Sequence, residues 1–118
     1  MLRCPQPIKH EIARRVEQSR AAVRAGDDPA AWHRLEEAHI LSQPWPTPHV
    51  GVHRRMLGLA LRRGPRREIP GQVFRILVAG PGSAAGRYPV GNTGRADVSA
   101  FAPMPMPDDL RALLDAHL

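Results

Sequence analysis

Glu36-Glu37-Ala38-His39-Ile40-Leu41-Ser42-Gln43-Pro44-Trp45-Pro46-Thr47-Pro48-His49-Val50-Gly51-Val52-His53 is the stretch that decides the fold, because two helical segments and a forced reversal fall within it. Glu36 and His39 are three positions apart, and His49 and His53 are four apart. Either spacing sets both side chains on one face of a helix, about one turn from each other. Between the pairs stand Pro44, Pro46 and Pro48, which stop one helix and let the chain reverse before the next begins. Two helices packed antiparallel across that turn bring three imidazoles and a carboxylate together. Such a donor set suits a borderline divalent ion: zinc first, with cobalt, nickel or copper as alternatives.

Helical phase selects among the neighbouring candidates. Glu36 lies about 60° from His39 around the helix, whereas Glu37 lies about 160° and His33 about 120° away. The expected metal ligands are therefore Glu36, His39, His49 and His53. Four protein ligands make a closed site, and three leave a position for water and for hydrolytic chemistry. The competing reading has His49 and His53 partly exposed and Glu36 paired with a nearby arginine.

Outward from this hairpin the pattern stays helical, and the expected fold is all-α. From about Gln6 to Ala25 the positions Ile8, Ile12, Val16, Ser19 and Val23 form one stripe, with Arg14, Arg15, Arg20 and Arg24 off it. Asp27-Asp28-Pro29 supplies an N-cap and an early proline for a second helix that runs to about Ser42. A third helix is expected from near Pro48 to Arg63. A fourth is expected from Arg66 to Ala79, burying Val73, Ile76, Leu77 and Val78 and closed by Gly80-Pro81-Gly82.

Ser83 to Pro107 has no helical or strand period, apart from a short extended stretch expected at Val98 to Phe101, and reads as a long Gly/Pro-rich loop. Loops of this length are usually functional or disordered. The expected role of this one is structural, pinned over the helices by hydrogen bonds of Asn92, Arg95 and Asp97, with closure of one side of the metal pocket as a second role. A short carboxy-terminal helix with Leu110, Leu113 and Leu114 on one stripe follows. The whole is two antiparallel helical hairpins, a loop and a terminal helix, in one domain over residues 1–118.

With 118 residues, a net charge of +6 and a single cysteine, the chain has no internal disulfide, and it contains no apolar run long enough to span a bilayer. A cytoplasmic protein without membrane association is expected. Arg54, Arg55, Arg62, Arg63, Arg66 and Arg67 form a basic band, which supports a helical adaptor for an acidic partner or nucleic acid. The long proline-rich turn argues against a DNA-reading helix-turn-helix. Arg87 and Arg95, in a glycine-rich run, offer a place for an anion or acidic partner. Cys4, Met104 and Met106 are soft donors suited to Cu(I), although proline-flanked methionines more often fill gaps in packing. Oligomeric state stays open, a homo-oligomer included.

The segments Ala31 to Pro44, His49 to His53, Pro81-Gly82-Ser83, Gly86-Arg87-Tyr88-Pro89, Gly91-Asn92-Thr93-Gly94-Arg95-Ala96 and Pro103-Met104-Pro105 resemble a small bacterial family classed as a domain of unknown function. The resemblance covers nearly the whole chain. It implies an association with heavy-metal resistance genes and raises metal handling (sensing, buffering or delivery) above the other readings. The rival from the enzyme class keeps the same site with one open position, acting on a small substrate beneath the 83–107 loop.

Overall fold

The computed structural model describes residues 3–118, which are all-α, with five helices and no strand among them. In chain order these are α1 (Gln6–Arg24), α2 (Asp28–Ser42), α3 (Pro46–Arg63), α4 (Glu68–Ala84) and α5 (Asp108–Asp115). Helix α2 packs against α1, α3 and α5, while α3 also packs against α4. That central place explains why α2 is buried nearly all round, through Ala31, Trp32, Leu35, Ala38, His39, Ile40, Leu41 and Ser42. No helix among the described residues is long and apolar enough to cross a membrane.

Local chemistry fixes the joints. The Asp27 carboxylate accepts the Ala30 backbone N–H at 3.1 Å, capping α2. Ser19 of α1 donates to the Ala31 carbonyl at 2.9 Å, so the two helices approach closely where a small polar residue replaces an apolar one. The Trp32 indole N–H donates to the Gly64 carbonyl at 3.2 Å and ties α2 to the end of α3. Ile8, Ile12, Leu35, Leu41, Trp45, Val52, Met56, Leu110 and Leu114 form the apolar core.

Five features depart from the sequence reading. Helix α3 begins at Pro46 rather than Pro48. The first turn of a helix has no use for its N–H groups, so Pro46 and Pro48 are accommodated there at no cost in hydrogen bonds. Helix α4 runs on through Gly80-Pro81-Gly82 to Ala84, where a stop was expected. Proline at position 81 leaves the Leu77 carbonyl without its helical donor, but Leu77 is 70% exposed, so water can reach that side of the helix. The extra turn delivers Ser83 to the interior.

The face that α4 buries is also not the apolar one. Glu68, Gln72, Arg75, Ala79 and Ser83 point inward, whereas Val73, Phe74 and Leu77 are exposed. Their spacing of four, three, four and four residues is a helical stripe, polar at every position but Ala79. Arg15 is likewise buried, against expectation, through a short contact with the Glu11 carboxylate. Residues 98–101 form bends and turns rather than an extended stretch. Residues 87–107 carry no helix or strand, as the glycine and proline content implied.

Candidate metal centre

His39 near the end of α2, and His49 and His53 in the first two turns of α3, converge in the interior. All three are buried, at 2%, 5% and 2% exposure. Each offers one ring nitrogen to a group in which all three donor atoms lie within 4.8 Å of one another. The Nε2 atoms of His39 and His49 are 3.1 Å apart. In a tetrahedral zinc site with metal–nitrogen bonds of about 2.0–2.1 Å, two ligand nitrogens stand about 3.3 Å apart.

The other ring nitrogen of each histidine is committed elsewhere. His39 Nδ1 lies 2.7 Å from the Asn92 carbonyl oxygen, which can only accept. His53 Nδ1 lies 2.8 Å from Gln72 Oε1, and the orientation of that amide is set by its NH2, which donates to the Gly94 carbonyl at 2.8 Å and to Glu68 at 3.1 Å. His49 Nδ1 lies 2.7 Å from Ser83 Oγ, whose own proton goes to the Gln43 carbonyl. Every Nδ1 is therefore the protonated one. In the neutral rings every Nε2 then carries a lone pair, and those of His39 and His49 stand at hydrogen-bond distance with no proton between them.

Burial keeps the rings neutral. Loss of hydration, with repulsion from His53, pushes His49 down to about 3. His53 falls to about 4, because burial outweighs the Gln72 hydrogen bond that favours its charged form. His39 lies well below the usual histidine range, again from burial first and from its two neighbours next. Three buried bare lone pairs at this range repel one another, and a cation placed between them reverses the sign of that interaction. An imidazole whose second nitrogen donates to a carbonyl, an amide oxygen or a hydroxyl is the usual form of a metal-ligating histidine.

Glu36, expected as the carboxylate ligand, is directed elsewhere: its Oε2 accepts from Arg95 Nη1 at 3.0 Å. Arg95 also lies 3.2 Å from Glu68 Oε1 and stacks 3.9 Å over the Trp32 ring. This removes Arg95 as an open anion site and gives it a structural task, joining α2, α4 and the loop. The three histidines are buried together, while Glu36 pairs with an arginine. Cys4 sits in the apolar core and Met106 packs against it, so neither joins the histidine group.

Residues of the loop line one side of the histidine pocket. Pro89, Asn92, Gly94 and Ala100 line a cavity of about 30 Å³ together with His39, His49, His53, Gln43, Arg75 and Ala79. Asn92 organises this cover, with its NH2 donating to the Ser99 and Ala102 carbonyls at 2.8 and 2.7 Å and its Oδ1 accepting the Gly94 N–H at 2.8 Å. Gly94 has φ +82°, and a Cβ there would stand 2.7 Å from the His39 ring. Only glycine both adopts that conformation and leaves room for the imidazole.

Gln72, Arg75 and Ser83 are not indicated by apolar periodicity. Their signal was present as a polar stripe at helical spacing in α4, opposite an apolar face that the protein leaves exposed.

A model of the family described as "Protein of unknown function (DUF3703)" matches residues 6–114. No curated protein and no solved structure matches the chain.

Proposed function

We propose that this chain, which belongs to the DUF3703 family, binds one divalent transition metal ion through Nε2 of His39, His49 and His53, with zinc as the first candidate and cobalt, nickel and copper behind it. The observation that carries this reading is the common hydrogen-bonding state of the three rings. Each Nδ1 is held by a separate acceptor, which leaves each Nε2 of this close group with a free lone pair. A trio of core histidines serving packing alone has no need for one tautomer in all three. Three neutral nitrogens match the preference of borderline ions and leave a coordination position beyond the protein.

Its task is metal buffering, sensing or delivery. The cavity around the rings, about 30 Å³, matches an ion with one compact ligand. That size favours handling of the ion itself over catalysis on a metabolite. Titration of metal-free protein with Zn(II) or Co(II), followed by calorimetry, tests the reading. One equivalent should bind to the wild type, and His53→Ala should lose most of the affinity. Equal affinity in both proteins would place the ion elsewhere.

A further inference from the structure

Arg75 is the one cationic side chain among those lining the histidine cavity. It is 7% exposed, and its two terminal nitrogens are used on backbone carbonyls: Nη1 on Gly71 at 3.1 Å and Nη2 on Val98 at 2.7 Å. Its Nε is buried and has no hydrogen-bond partner among the described residues. Glu68 and Asp97 lie close enough to favour its charge. Glu68, however, is already engaged with Arg95, with Gln72 and with the Ala96 N–H. A buried N–H of a charged group without an acceptor is expensive and calls for one.

We propose that the metal centre takes a small monoanion of one to three heavy atoms as its exogenous ligand, bound to the ion at one end and accepting the Arg75 Nε–H at the other. This rests on the three-histidine reading above. The charge balance of the cavity points the same way. Neutral imidazoles contribute no negative charge, so a divalent ion and a guanidinium lining one small cavity repel each other unless an anion lies between them. The anion satisfies both needs with one group. Its size is limited by the cavity, where about 10–15 Å³ holds one water and about 30 Å³ holds little more than an ion with one compact ligand. Arg75 is thus a ligand-selecting residue that does not touch the metal.

The test uses the full chain loaded with Co(II), whose visible bands report the coordination sphere, titrated with sodium azide at constant ionic strength. The wild type should show a saturable spectral change. Arg75→Gln and Arg75→Lys should each load one cobalt yet bind azide about tenfold more weakly or worse, the scale of a lost charge-assisted hydrogen bond. Arg75→Lys retains the charge and guards against a fold lost in Arg75→Gln. Cobalt uptake with no azide response in the wild type, or azide affinities in the variants within twofold of the wild type, would overturn the inference and leave the metal reading standing. Failure of the wild type to take up cobalt would instead remove the metal reading, and this inference with it.

Discussion

His39 Nε2 and His49 Nε2 stand 3.1 Å apart, and neither has a proton to offer the other, because Asn92 and Ser83 hold the protons on the far side of each ring. Two acceptors at hydrogen-bond distance with no donor between them are unfavourable unless a cation joins them. Four consequences can be measured on the metal-free or variant protein.

Acid should unfold the metal-free protein earlier than carboxylates alone would. His49 and His53 titrate near 3 and 4 when folded, against the ordinary histidine value of 6.5 when unfolded. Between those values the unfolded chain binds more protons than the native one, so stability rises with pH and is lost as pH falls from about 6.5 toward about 4 and then 3. His39 adds in the same direction. Melting temperatures across pH 4–7 should fall steadily on acidification, and the triple variant with all three histidines changed to glutamine should flatten the slope. A slope equal in both would mean that the three rings are not the groups responsible.

Gly94→Ala should destabilise the protein and weaken its hold on metal together. The positive φ alone costs about 1–2 kcal/mol for a residue with a Cβ. The added methyl also meets the His39 ring at 2.7 Å. Denaturant unfolding and a zinc titration on the same sample measure both effects, and a variant with wild-type zinc affinity would show that the loop does not position His39.

Gln72→Leu should lower metal affinity by about 10–100-fold, the usual effect of removing the partner that orients a ligating histidine. Without the amide oxygen, the His53 ring loses the contact that keeps its proton on Nδ1. Competition against a chromophoric chelator gives the ratio directly. Unchanged affinity would mean that His53 is oriented by packing alone.

Glu36→Gln should leave the stoichiometry at one ion per chain, because the Glu36 carboxylate serves Arg95. A small loss of stability from the weakened ion pair is expected, at most about 1 kcal/mol at a position that is still partly exposed. Elemental analysis of the purified variant decides the matter, and a metal-free product would return Glu36 to the ligand set.

The sequence made parts of this site legible for physical reasons. His39, His49 and His53 were readable because helical phase and a proline turn fix which faces meet, and both are local properties. Glu36 had the right phase too, but phase says only which face a carboxylate occupies. Its partner Arg95 arrives from a loop 59 positions away, and no local pattern predicts that approach. Helix α4 departs from expectation for the opposite reason. Apolar periodicity places Val73 and Leu77 in the core, yet the interior there is a polar cavity, so Gln72, Arg75 and Ser83 face in while Val73 and Leu77, with Phe74, face out. The stop expected at Gly80-Pro81-Gly82 failed because Ser83, one turn further on, is fixed by Gln43 and His49.

X-ray absorption at the metal edge of the zinc-loaded protein tests the central claim most directly. A three-histidine centre predicts three imidazole nitrogens and one further light atom at about 2.0–2.1 Å, with the outer-shell scattering of imidazole rings falling in His39→Ala. A sulfur shell near about 2.3 Å, or a spectrum unchanged in His39→Ala, would contradict it.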